Sequence, residues 1–85
     1  MSKTKILVID DEQSIIDLVT AYLRPEGYEV YTAMDGPSGL KAARAFRPDL
    51  VVLDIMLPGM DGIEILAQLR RESDVYVILL TAKTE

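Results

Sequence analysis

Leu50-Val51-Val52-Leu53-Asp54 is a run of four branched apolar residues closed by a carboxylate. A continuous apolar run this short reads as a strand covered on both faces, as in a parallel sheet. Two other stretches share the character. Ile6-Leu7-Val8-Ile9 runs into Asp10-Asp11-Glu12, and Val75-Tyr76-Val77-Ile78-Leu79-Leu80 runs into Thr81-Ala82. Tyr28-Glu29-Val30-Tyr31-Thr32 mixes polar and apolar residues and fits an edge strand with one side wet. Helical patterns separate the strands. Ile15, Ile16, Val19, Tyr22 and Leu23 recur at helical spacing until Pro25 and Gly27 stop them. Asp35-Gly36-Pro37 opens a second helix with a cap and a first-turn proline, and Leu40, Ala43 and Phe46 form its stripe. Asp61-Gly62 opens a third that carries Ile63, Leu66, Ala67 and Leu69, with Arg70 and Arg71 in its last turn. The element order is β-α-β-α-β-α-β.

The chain has 85 residues, a single domain at most, and its hydrophobic fraction of 49% excludes intrinsic disorder by composition. A chain of this length buries only about 60–65% of the surface its unfolded form exposes, so its stability is thin. Fourteen acids against nine bases leave a net charge of −5, which argues against a nucleic-acid backbone as a ligand of this segment. There is no Cys and no His, which removes thiolate sites, the commonest general base and the commonest transition-metal ligand. The apolar runs are too short to span a bilayer, and the N-terminus does not read as a signal peptide. A soluble, cytoplasmic protein is the expectation.

Alternating strands and helices imply right-handed crossovers and a doubly wound parallel sheet. A wet second strand belongs at an edge, which gives the order 2-1-3-4. Ligands of such sheets bind beyond the carboxyl ends of the strands where the winding reverses, here between strands one and three. Topology therefore gathers Asp10, Asp11, Glu12 and Asp54, with Thr81 beside them. Clustered carboxylates raise one another's pKa unless a cation relieves the repulsion. An all-oxygen set without His or Cys suits Mg²⁺, and a carboxylate beside it can take a phosphoryl group as an aspartyl phosphate. The plainer alternative is that Asp10, Asp11 and Glu12 cap and charge the first turn of helix one. Asp35 and Asp61 read as caps, Thr81 alone as a strand-end hydroxyl, and Met34, Met56 and Met60 as packing residues.

At Ile6-Leu-Val-Ile-Asp-Asp-Glu12, Val51-Val-Leu-Asp-Ile-Met-Leu-Pro-Gly-Met-Asp-Gly62 and Ile78-Leu-Leu-Thr-Ala82 the sequence resembles a response-regulator receiver domain of two-component signalling. The likeness extends over nearly all 85 residues, and the middle phrase is similar to regulators that carry a winged-helix DNA-binding domain. The resemblance implies a flavodoxin-like fold and a phosphoryl group taken from a histidine kinase onto Asp54. It implies Mg²⁺ on Asp11, Asp54 and the backbone carbonyl of Met56, with Asp10 holding metal-bound water. Thr81 would be the switch hydroxyl, the Ala82 N–H would contact the phosphoryl oxygens, and Pro58 and Gly59 would shape the loop. Met56 also holds a position from which family members tune the phosphoryl lifetime, and a thioether there promises no acceleration of hydrolysis. The family's fifth strand with its lysine, two further helices and an aromatic switch residue have no counterpart in these residues. Lys83 does not match that lysine. The expectation is a partial receiver domain, residues 1–85, ending after the fourth strand.

A module of another class remains: a fragment that pairs through Val75-Tyr76-Val77-Ile78-Leu79-Leu80, or swaps elements with a second copy, without a working switch. Charge on that strand, for example Val77→Lys, would then weaken self-association. An enzyme of the same fold class fares worse. A flavin protein needs a Ser/Thr/Gly-rich loop where Asp10-Asp11-Glu12 stands, the P-loop motif is absent, and an aspartyl-phosphate phosphatase needs an acid where Met56 stands.

Overall fold

The structure is a computed structural model and describes residues 3–57 and 60–80. Strands β1 (Lys5–Ile9), β2 (Glu29–Ala33), β3 (Leu50–Asp54) and β4 (Tyr76–Leu80) alternate with helices α1 (Gln13–Leu23), α2 (Gly36–Phe46) and α3 (Gly62–Glu72). All pairings are parallel and the order is β2-β1-β3-β4, the incomplete flavodoxin-like sheet expected. Pro58, Gly59, Thr81, Ala82 and Lys83 lie outside the described residues.

The stops and caps follow local chemistry. A short 3₁₀ turn, Arg24–Glu26, ends α1, and Gly27 leaves it at φ 95°, in the left-handed region that costs a residue with a Cβ. The Asp35 side chain accepts from the Ser38 N–H at 2.8 Å, and that of Asp61 accepts from the Ile63 N–H at 3.0 Å, so both act as N-caps. At the far ends of α2 and α3, Arg44 grips Glu72 through two hydrogen bonds of 3.0 and 2.9 Å. That grip lowers the Glu72 pKa and raises that of Arg44.

The two sheet faces differ. Leu7, Ile9, Val51 and Leu53 point to the side of α2 and α3 and are buried with Leu40, Ile65 and Leu69. Burying a side chain such as Ile65 contributes about 1.5–3 kcal/mol. Ile6 and Val8 point the other way and bury against Ile16 and Val30, while Leu50 and Val52 on that face are half-buried.

Several positions differ from their reading in the sequence. On α3 the buried pair is Ile65 and Leu69, spaced i, i+4, whereas Ile63 and Ala67 are exposed. Tyr22 of α1 is exposed as well. Strand β2 is an edge strand, but it buries Val30 on one face and Ala33 on the other rather than keeping one side wet. Phe46 is partly open, yet its ring stacks on Tyr31 with centroids 4.0 Å apart and ties α2 to β2. Val77 does not face outward. It packs with Val75 against the α2–α3 core, and Tyr76, 78% exposed, and Ile78, 51% exposed, are the outward positions of β4. Among the described residues β4 pairs with β3 alone. No helix among them is long and apolar enough to cross a membrane.

Candidate phosphoacceptor site

The register of the two central strands builds the site. Ile9 lies opposite Leu53, so the next residues, Asp10 and Asp54, leave the sheet side by side. Asp11 follows Asp10 into the turn before α1. One carboxylate oxygen from each of Asp10, Asp11 and Asp54 lies within 4.8 Å of the others. Asp10 is buried, 4% exposed, Asp54 is half-buried and Asp11 is exposed.

None of these acids caps α1 through a side-chain bond to its first turn. Glu12 occupies the N-cap position of α1 but makes no side-chain cap bond, and the first turn of that helix carries no acid. Asp10 turns its carboxylate toward the chain itself, where Oδ1 accepts from the Glu12 N–H at 2.8 Å. Asp54 does the same after β3, with Oδ1 accepting from the Met56 N–H at 3.0 Å. Each strand thus ends in an acid that folds its own loop and keeps a second carboxylate oxygen for other work. The Met56 side chain is 65% exposed.

Negative charge is concentrated here. Burial pushes the Asp10 carboxyl above the usual carboxylate range, the Glu12 N–H pulls it back, and the negative charges of Asp54 and Asp11 push it further up. A buried, raised carboxyl beside two other carboxylates is a place where a cation would relieve repulsion. The donors are all oxygen, and the chain contains no Cys or His to favour a softer metal. That set fits Mg²⁺ through carboxylates plus water. Two surface grooves, of about 400 and 480 Å³, lie elsewhere, one lined by Arg44, Arg47 and Val75 and the other by Asp17, Thr20 and Thr32.

Comparison with known proteins matches this geometry to a family. A sequence model described as response regulator receiver domain matches residues 6–85. The chain belongs to the response-regulator receiver family. Two curated relatives are the DNA-binding response regulator MtrA of Mycobacterium tuberculosis strain H37Rv and the alkaline phosphatase synthesis transcriptional regulatory protein PhoP of Bacillus subtilis strain 168. MtrA is 47% identical over 83 residues, covering 98% of this chain and 36% of MtrA. PhoP is 51% identical over 82 residues, covering 95% of this chain and 34% of PhoP. The receiver chain therefore spans about a third of the length of the curated relatives it matches. A chain in the crystal structure of histidine kinase ThkA in complex with response regulator protein TrrA superposes with a TM-score of 0.87 at 42% identity. The match covers 96% of this receiver and 72% of that chain.

Of the site residues anticipated from sequence, Asp10, Asp11 and Asp54 come together in this receiver, the Met56 N–H reaches Asp54, and Thr81 and Ala82 lie outside the described residues. Sequence reasoning missed Ile55. Its N–H donates to the Leu80 carbonyl at the end of β4 (3.1 Å), and its carbonyl accepts from the Gly62 N–H at the start of α3 (2.9 Å). The one available signal is the Asp61-Gly62 pair, whose local chemistry reads as a helix start.

Proposed function

We propose that Asp54 is the phosphoacceptor of a two-component relay and takes its phosphoryl group from a phosphohistidine of a sensor histidine kinase. The observation that carries this reading is the meeting of Asp10, Asp11 and Asp54, from two strand ends, within 4.8 Å. An Asp54 carboxylate oxygen attacks phosphorus, the P–N bond to the histidine breaks, and the imidazole nitrogen leaves with the electron pair and takes up a proton. The product is an acyl phosphate on Asp54. Mg²⁺ would be held by Asp11, Asp54 and the Met56 carbonyl, with Asp10 on metal-bound water, and when bound it supplies positive charge to the transferring oxygens. Asp54 stays oriented by the Met56 N–H, which leaves its other oxygen free to attack. Thr81 and the Ala82 N–H are assigned to the phosphoryl oxygens. The segment works in the cytoplasm, acts as a signalling receiver rather than an enzyme on other substrates, and makes no nucleic-acid contact at its net charge of −5. Transcriptional output through a winged-helix domain is the corresponding proposal for the whole protein.

The test is intact-protein mass after incubation with a small phosphodonor, with and without Mg²⁺. A phosphoryl adduct that requires Mg²⁺ is expected; no adduct on a folded chain would reject the reading.

The exposed Tyr76, Ile78 and Leu79 favour a second reading, in which copies of the chain pair through β4. Ile78→Lys, at an outward position, is then expected to lower the dimer fraction in sedimentation at fixed concentration. An unchanged mass distribution would place any association elsewhere.

A further inference from the structure

The β3–α3 junction holds Ile55 from two sides, through Leu80 and Gly62, one residue before the Met56 N–H that orients Asp54. The contact at Gly62 is unusually close. Gly62 is buried, and a Cβ placed on it would lie 2.4 Å from the Ile55 Cα, 2.7 Å from its carbonyl oxygen and 2.8 Å from its carbonyl carbon. Those are backbone atoms and cannot swing aside as a side-chain tip would. At the other close glycines the obstacles are largely side chains: Ile9 at Gly39, and Ile65 and Met60 at Gly36.

We infer that Gly62 is a positioning residue of the acidic site: its missing side chain lets the first turn of α3 clamp the Ile55 peptide, and that clamp aims Met56 and Asp54. The inference rests on the reading of the acids as a Mg²⁺ site. Any side chain at 62 displaces Ile55, and the Met56 carbonyl and the Asp54–Met56 bond move with it. Support of this outer kind, when lost, lowers metal affinity by roughly ten- to a hundredfold. Coupling of this sort is reciprocal, so bound metal must tighten the clamp in turn.

The test is a Mg²⁺ titration of the full chain read by thermal stability, for wild type, Gly62→Ala and Leu69→Ala. Leu69 is buried near the far end of α3, so its truncation weakens the fold without touching Ile55. Gly62→Ala is expected to weaken Mg²⁺ at least tenfold, and Leu69→Ala to leave the affinity unchanged. Leu69→Ala also weakens α3, so an unchanged affinity there separates loss of positioning from general loss of stability. Hydrogen exchange on the wild type keeps the question answerable if Gly62→Ala does not fold. With Mg²⁺ at ten times its Kd, the Ile55, Met56 and Gly62 amides should slow about tenfold if their opening must release the ion. The Ser38 amide at the α2 cap should not change. Wild-type affinity in Gly62→Ala, or unchanged exchange at those three amides while Mg²⁺ binds, would overturn the inference. A wild type that binds no Mg²⁺ would instead bring down the site reading, and this inference with it.

Discussion

Asp54→Asn is expected to fold as the wild type does and to take no phosphoryl group from a donor that labels the wild type. The amide oxygen can still accept the Met56 N–H, so the local turn after β3 survives. What is lost is the nucleophile, because a carboxamide offers no anionic oxygen to phosphorus. One of three mutually repelling charges also goes, so the metal-free fold has no electrostatic reason to weaken. Intact mass reports the chemistry and circular dichroism the fold. An adduct that persists on folded Asp54→Asn would move the acceptor to Asp10 or Asp11.

The second large effect concerns stability against pH. Asp10 has its pKa raised in the folded state, first by burial and then by Asp54 and Asp11 against the restraining Glu12 N–H. A raised folded pKa means that the native state holds the proton more tightly than the unfolded one. The associated stability is complete below the unfolded carboxylate range, near 3.8, and is lost as pH rises through the folded value. As pH rises, the metal-free protein therefore loses the stability that the protonated Asp10 contributes. Asp10→Asn should stabilise the metal-free protein at pH 7 by on the order of 1–3 kcal/mol, the repulsion of carboxylates a few Å apart less the weakened bond to Glu12. The gain should shrink toward zero in acid. Asp35 and Glu72, whose pKa values are lowered by the Ser38 N–H and by Arg44 respectively, lose stability as pH falls. Both are common to the two proteins and cancel in the difference. Urea unfolding with chelator present, from the acid range to pH 7, measures it. A destabilised Asp10→Asn at pH 7 would show that Asp10 contributes to folding mainly through its hydrogen bond. Adding Mg²⁺ should favour the wild type again, because the charge that strains the empty pocket is the charge that recruits the cation.

The fold was legible because three of the four strands are separate apolar runs and each helix begins at a capping acid or stops at a breaker. The parallel order followed from covered strands alternating with helices. Helix faces were harder. On α3, Ile63 and Ile65 are both apolar and two residues apart, and only the packing of α3 on β1 and β3 selects Ile65 for the core. Phe46 shows the opposite limit: it stays exposed, and its aromatic partner is a Tyr31 ring brought in by β2, which no local pattern reveals.

The acids were legible for a different reason. Winding direction alone places the ends of β1 and β3 together, and the residue types there carry the chemistry. What stayed hidden was how the loops are held. Ile55 acts through its backbone N–H and carbonyl, which have no side-chain signature, and Gly62 acts through the atom it lacks. A glycine after a capping Asp reads as helix-start chemistry until the 2.4 Å approach to Ile55 is seen.

The most direct test of the central claim maps the bond itself. Wild type treated with a small phosphodonor and Mg²⁺ is reduced with borohydride, which converts an aspartyl phosphate to homoserine, and the digested peptides are sequenced by mass spectrometry. Homoserine at position 54 alone, and only when Mg²⁺ was present, is the predicted result. Homoserine at 10 or 11, or at 54 regardless of the metal, would contradict it.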